Sequence, residues 1–330
     1  MRRLHEFTNS RVHAFTSCAG LDFAGGLWFI VSAMQTLSEI RALLDEHGLT
    51  PHKRFGQNFL IDKNLLAKLL ELAAVGPDDV VLEVGPGTGS LTEELLNLAR
   101  RVVAVEIDRG LYKLLCDRLG ERENLSLICC DALAGKHVIE PKVIEALGSS
   151  ASLVANLPYS IATPLAAQCL LDSWKAHRGY AGAWRRFDRL TFTVQQEVAH
   201  RLIAASDTSD YGPVSVVVSL LGKVRLGPVV PASAFWPPPN VVSRMVRIDF
   251  DPQAADALAD APTLEKTLAQ AFGQRRKQIS STARRKNAAF EEATFLKALE
   301  IAGIDRSVRA EKVTPRQFLA AANALAVAAK

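Results

Sequence analysis

A strand, a glycine-rich loop and a helix in direct succession leave a chain few folds to adopt. Val80 to Val84 is short and apolar apart from Glu83, and the loop Glu83-Val84-Gly85-Pro86-Gly87-Thr88-Gly89 overlaps its end. Leu91 to Leu98 then has helical periodicity. Glycine permits a sharp turn and lets the backbone approach a ligand more closely than any Cβ would allow. The alternation continues with strands at Arg101 to Ile107, Leu125 to Cys130, Ser152 to Ala155 and Leu190 to Val194. Helical stretches intervene at Leu111 to Leu119 and around Pro164 to Leu171. Strands alternating with helices predict an α/β fold with a doubly wound, Rossmann-like parallel sheet. Apolar runs at 214–221, 224–230 and 241–248 predict a further helix and a terminal antiparallel pair. Upstream, helices are expected over 38–47 and 62–74, the second with Asp62 as N-cap.

Acidic residues fall at the ends of the next two strands. Glu106 closes the second, 21 residues after Gly85, and a carboxylate there can accept both hydroxyls of a ribose. Asp131 closes the third, where it suits the amino group of an adenine ring or, alternatively, caps the following segment. A dinucleotide-binding loop would require glycine where Ser90 stands. Loop glycines, one ribose acid and one adenine acid describe S-adenosylmethionine better than NAD.

The fourth strand leads into Asn156-Leu157-Pro158-Tyr159, at the sheet edge where open α/β folds bind ligands. The lone pair of an adenine N6 is delocalised into the ring, so the amine is a poor nucleophile. The Asn156 Oδ1 and a main-chain carbonyl beside Pro158 could accept its two N–H groups and favour a pyramidal nitrogen. Tyr159 offers a face for an extruded base. The same four residues could instead form a turn with an asparagine cap and a packed tyrosine.

Composition limits other readings. A hydrophobic content of 48% with 22% charged residues is that of an ordinary globular chain, and a net charge of +4 permits a polyanionic partner without requiring one. The five cysteines include no C-x-x-C pair, which removes support for a zinc ribbon or a cysteine-ligated cluster; no metal is expected. Cys129 and Cys130 lie in a run that reads as a buried strand, and a reducing, cytoplasmic setting fits. Residues 1–33 carry Arg2, Arg3 and Arg11 and an apolar stretch too short for a membrane span. They are expected to be a disordered extension or an upstream misassigned start, although a basic, acid-poor segment also has the character of a mitochondrial presequence. Residues 34–251 are then the catalytic domain, and 252–330, rich in Ala, Leu, Arg and Lys without strand signals, a small all-helical domain.

Seven segments together resemble the KsgA/RsmA-type small-subunit rRNA adenine dimethyltransferases, whose fold is that of class I methyltransferases. They are FGQNFLID (55–62), EVGPGTGSLT (83–92), VEID (105–108), NLPY (156–159), QQEVAHRL (195–202), FWPPPNVVS (235–243) and FGQRRKQIS (272–280). The resemblance runs from about Gln35 to the C-terminus. It implies that S-adenosylmethionine is contacted by Asn58, Leu60, Gly85, Gly87, Glu106, Asp131 and Asn156. It also implies that the target adenine is held by Asn156, Leu157, Pro158 and Tyr159, with Phe235 as a second aromatic face. Phe235 precedes Trp236 and three prolines, so it could equally anchor a rigid loop. The implied reaction is dimethylation of two adjacent adenosines in the 3′-terminal hairpin of small-subunit rRNA, by a monomer acting during ribosome assembly, without metal or membrane.

Lys53-Arg54, Arg275-Arg276-Lys277 and Arg284-Arg285-Lys286 are the clearest basic clusters. On one continuous helix, Lys277 and Arg284 would share a face and form a phosphate-binding stripe; a solvated basic face is the plainer alternative. Three rival functions share these motifs: an Erm-type large-subunit rRNA methyltransferase, a non-catalytic assembly or mitochondrial transcription factor of the same fold, and a DNA adenine methyltransferase. The C-terminal FGQRRKQIS segment weighs against the first. The intact asparagine, tyrosine and acids weigh against the second, and the absence of a recognisable DNA-reading domain against the third.

Overall fold

The computed structural model describes residues 35–120, 122–135, 138–274, 276–284 and 287–328, without the side chains of Lys53 and Tyr159. The expected N-terminal extension, Arg275, Arg285 and Lys286 therefore lie outside the described residues.

The first elements are α1 (Leu37–Glu46), β1 (Phe59–Leu60) and α2 (Lys63–Ala73). Thr36 and Glu39 cap α1 reciprocally, each side chain accepting the other's backbone N–H, and Asp62 caps α2 as expected. The winding unit follows: β2 (Val80–Val84), α3 (Ser90–Leu98), β3 (Arg101–Glu106), α4 (Arg109–Leu119), β4 (Leu125–Cys129), α5 (Pro141–Leu147), β5 (Ser150–Asn156), α6 (Tyr159–His177) and β6 (Arg186–Gln195). Next come α7 (Gln196–Leu202), α8 (Pro213–Leu221), β7 (Gly222–Val230), β8 (Phe235–Trp236) and β9 (Ser243–Phe250). The chain closes with α9 (Pro252–Ala255), α10 (Ala261–Phe272), α11 (Glu292–Ile301) and α12 (Pro315–Ala328).

Seven strands form one sheet in the order β4-β3-β2-β5-β6-β9-β7. The first five run parallel, and β9 is antiparallel to both β6 and β7, so the anticipated terminal pair is present. Period-two alternation sorts the side chains between the two faces. Val80, Leu82, Val84, Val103, Val105, Leu153 and Ala155 enter the core shared with α5, α6, α8 and the C-terminal helices. Val81, Val102, Ala104 and Val154 enter the core beneath α2 and α3. A strand buried on both sides needs apolar residues at every position, which is why these runs read as continuous.

Three expectations change. Helix α6 opens at Tyr159 rather than near Pro164, so the proline lies inside it. Cys129 is exposed and Cys130 half-buried, because β4 is an edge strand. Residues 274 and 276–278 are not helical, and 279–284 form a tight 3-10 segment. Helix α10 stops at Gly273, and the Ile279 N–H bonds to the Val308 carbonyl (2.7 Å) instead of continuing it. Lys277 and Arg284 therefore share no helical stripe.

The helices after Pro252 share a core with the sheet rather than forming a separate one: Leu264, Phe295, Phe318 and Leu325 join the cluster that holds Leu153 and Leu220. Tyr211, fully buried, donates its hydroxyl to the Val313 carbonyl across this junction (2.8 Å). On the opposite face, Arg247 and Arg189 donate to the Leu72 and Ala74 carbonyls (2.9 and 2.8 Å). These cations meet the negative end of α2 and fix it to the sheet. Tyr211→Phe, which orphans the buried Val313 carbonyl, is expected to cost about 1–2 kcal/mol of stability in urea unfolding; an unchanged midpoint would show that the bond contributes nothing.

Candidate active site

The sheet reverses its winding between β2 and β5, and their carboxyl ends border a cavity of about 270 Å³. This is where open parallel sheets leave a crevice. Asn58, Leu60, Gly85, Gly87, Glu106, Asp131 and Asn156 all line it, so every residue expected at the cofactor is brought to one place.

Two glycines are required by their left-handed backbone, and Gly87 by contact as well. A Cβ on Gly85 (φ 72°) would touch the Pro158 ring at 3.4 Å, and one on Gly87 (φ 62°) would press the Phe59 ring at 3.0 Å. Gly87 thus fits against the 55–60 segment only without a side chain, and Gly85 lies against the 156–159 tetrapeptide.

Each acid is held in a defined way. Glu106 accepts the Asp108 N–H at Oε1 (2.9 Å) and the Gly87 N–H at Oε2 (3.3 Å). Its burial nevertheless pushes its pKa up to about 7 against those bonds. Asp131 accepts the Leu133 N–H at Oδ1 (3.0 Å), which fixes the carboxylate at the cavity wall. Glu83 reads in the sequence only as one polar residue in an apolar strand. Yet it lines the cavity, is 1% exposed, and its Oε2 has no hydrogen-bond partner among the described residues. Burial pushes Glu83 up to about 8, the Thr92 hydroxyl opposes this, and the charge of Glu106 adds to it.

At the end of β5, Asn156 donates from Nδ2 to the Asn58 backbone carbonyl (2.9 Å). Its acceptor, Oδ1, has no hydrogen-bond partner among the described residues. The Pro158 carbonyl takes the Ile161 N–H (3.1 Å), which leaves the Leu157 carbonyl as the main-chain acceptor beside the proline. The Leu157 side chain is 2% exposed and belongs to the core, so only its backbone can serve the site. The Tyr159 side chain lies outside the described residues.

The structure does not bring Phe235 to this cavity. It is 2% exposed, pairs with Leu60 in the two-stranded β1–β8 ribbon, and packs with Leu60, Leu66 and Met245. The reason is local. With Phe235 inward, the alternating Trp236 stacks on Phe59 (centroids 6.2 Å apart) under the Arg41 guanidinium (5.1 Å). Phe235 is thus the anchor of the ribbon that carries Leu60. Of the basic residues, Arg54 lines the cavity and lies over the Phe55 ring (4.3 Å), while Arg276 and Lys277 are exposed on the C-terminal segment. Arg284 is exposed but paired with Glu292 (2.7 Å).

A doubly wound sheet with acids at these strand ends and an amide beyond the fourth is the architecture of class I methyltransferases. Solved structures bear this out. A dimethyladenosine transferase from Plasmodium falciparum aligns over 80% of this chain and 95% of its own, with a TM-score of 0.58 and 24% identity. The 23S rRNA methyltransferase ErmE aligns over 82% of this chain and 100% of its own, with a TM-score of 0.52 and 26% identity. The chain belongs to the ribosomal RNA adenine dimethylase family, whose pattern it matches over residues 48–327. Among curated relatives, the ribosomal RNA small subunit methyltransferase A of Phenylobacterium zucineum is 38% identical over 88% of this chain and 94% of its own length. That of Magnetococcus marinus is also 38% identical, over 88% and 97%.

Both buried acids carry raised pKa values, so their contribution to stability is complete below about pH 4.5. It is lost as the pH rises through about 7 for Glu106 and about 8 for Glu83. The ligand-free protein is expected to lose a few kcal/mol of stability between pH 4.5 and 8, at ~1.4 kcal/mol per pKa unit as an upper bound. Glu83→Gln should flatten that slope in denaturant titrations; identical slopes would mean that Glu83 is ionised throughout.

Proposed function

We propose that this protein uses S-adenosylmethionine to methylate the exocyclic amines of two adjacent adenosines in the 3′-terminal hairpin of small-subunit rRNA, placing two methyl groups on each. The observation that carries this reading is the orientation of Asn156, whose donor is taken by the Asn58 carbonyl and whose acceptor is available beside the Leu157 carbonyl. An amine with two N–H groups is the ligand such a pair recognises.

The residues around the cavity fit the cofactor. Glu106 has lone pairs suited to a vicinal diol, and Asp131 a carboxylate oxygen for an amino group. The buried, unpartnered Glu83 Oε2 adds a third acid to a site suited to a positively charged ligand. Glu106 would hold the ribose and Asp131 the adenine, while Asn58, Leu60, Gly85, Gly87 and Asn156 border the remainder. When bound, the cofactor supplies a methyl group activated by a sulfonium.

The chain's own contribution is alignment. Asn156 Oδ1 and the Leu157 carbonyl accept the two N–H groups of the target amine, which draws its lone pair out of conjugation and aims it into the cavity. Tyr159, at the start of α6, is assigned to stack on the extruded base, a contact worth ~1–3 kcal/mol in single-stranded nucleic-acid complexes. No strong general base is needed, because the proton becomes acidic once nitrogen is alkylated. Phe235 acts indirectly, by anchoring Leu60.

The small-subunit assignment is supported by relatives at 38% identity over most of both chains, against 26% for the large-subunit enzyme. Arg54 at the cavity, with Lys53 beside it, and Arg276 and Lys277 on the C-terminal segment would contact phosphates, joined by Arg275, Arg284, Arg285 and Lys286. Such contacts position RNA without reading its bases. The reading implies a monomer acting in the cytoplasm on assembling small subunits. Among the described residues, no helix is long and apolar enough to cross a membrane.

Incubation with labelled S-adenosylmethionine and unmethylated small subunits should place label on paired adenosines of the small-subunit rRNA. Label found only on free large-subunit RNA would overturn the assignment. Asn156→Ala is expected to reduce turnover by roughly a hundredfold or more, and full activity would refute its role. Joint replacement of Arg275, Arg276 and Lys277 should weaken RNA binding and flatten its salt dependence; unchanged binding across salt would remove that segment from the interface.

A further inference from the structure

An asparagine amide is nearly symmetric in shape but opposite in hydrogen-bonding sense on its two sides. Asn156 presents an acceptor to the amine only while something holds its Nδ2 elsewhere. That partner is the backbone carbonyl of Asn58, 98 positions away in sequence and in no regular element. Its placement therefore rests on what fixes the 52–58 loop.

Gln57 fixes it from one side. Its Nε2 donates to Asp108 Oδ2 (3.1 Å) and its Oε1 accepts the His52 N–H (2.7 Å). Asp108 is itself immobilised: its Oδ1 caps α4 by accepting the Gly110 and Leu111 N–H groups, and its own N–H bonds to Glu106. On the other side of Asn58, Phe59 is held by the β1–β8 register and by stacking on Trp236. The Asn58 side chain closes the loop locally by donating to the Gly56 carbonyl (3.0 Å).

We propose that Gln57 is a positioning residue for methyl transfer, acting on Asn156 through the Asn58 carbonyl. A continuous path then runs from the carboxylate assigned to the ribose, through Asp108, Gln57 and Asn58, to the amide that grips the substrate amine. This rests on the functional reading above, but the amide lock exists independently of it.

Replacing Gln57 with Leu removes both bonds. Measured on the full chain with unmethylated small subunits, Gln57→Leu should lower kcat about tenfold. The Kd of S-adenosylhomocysteine, the probe for the cofactor site, should stay within about threefold. In an Asn156→Asp background, which keeps an acceptor oxygen but has no amide donor to orient, the same substitution should change kcat less than about twofold. Equal losses in both backgrounds, or a loss confined to cofactor affinity, would overturn the proposal. The lock is also read without turnover. Solvent exchange of the Asn156 side-chain amide protons, followed by NMR, should accelerate in Gln57→Leu, and unchanged exchange would refute the relay. If the unsubstituted protein methylates no adenosine while its Asn156 amide is protected, the functional reading fails and the lock stands.

Discussion

The site depends on one topological constraint: the chain winds outward from β2 through β3 and β4, then returns to the other side of β2 to form β5 and β6. Right-handed crossovers in both directions leave no helix over the ends of β2 and β5, and this gap is the cavity. The glycine loop leaves β2 there, and Asn156 ends β5 there. No other pair of neighbouring parallel strands in the sheet offers such an opening among the described residues. The apolar runs that fill both faces are thus also what brings two polar segments, about seventy residues apart, into contact.

Within that gap the chemistry is conservative. Two carboxylates and an amide are placed by backbone N–H groups and carbonyls rather than by other side chains: Asp108 and Gly87 on Glu106, Leu133 on Asp131, Asn58 on Asn156. Main-chain partners move only if an element moves, so orientation is inherited from the sheet. The exception is Glu83, whose Oε2 has no hydrogen-bond partner among the described residues and whose burial is met by a pKa raised to about 8.

Much of this was legible in the sequence because the signals are local. A glycine loop, an acid at a strand end and an Asn-x-Pro-Tyr turn each announce themselves within a few residues, and period-two burial places them at one edge of one sheet. The missed features are non-local. The resemblance implies Phe235 as an aromatic offered to substrate, with a loop anchor as the alternative, and nothing nearby in sequence shows that its partner is Leu60. The two-residue strands β1 and β8 are too short for any periodicity to reveal. Glu83 was hidden by its own strand, and the bond between Gln57 and Asp108 has no spacing rule behind it. Residues 276–284 misled for another reason: their helical composition was overridden by backbone pairing of 278–279 with 308–309.

The β1–β8 ribbon also orders events in time. Phe59 and Leu60 flank the loop that orients Asn156, yet their partners Trp236 and Phe235 lie about 175 residues downstream. At a synthesis rate of ~5–20 residues per second, roughly ten to thirty seconds separate the two halves of the ribbon as they leave the ribosome. The sheet through β5 can form during that interval, but the segment bordering its crevice is unanchored until β8 arrives. A nascent chain of this protein therefore acquires its scaffold first and its competence for ligand last.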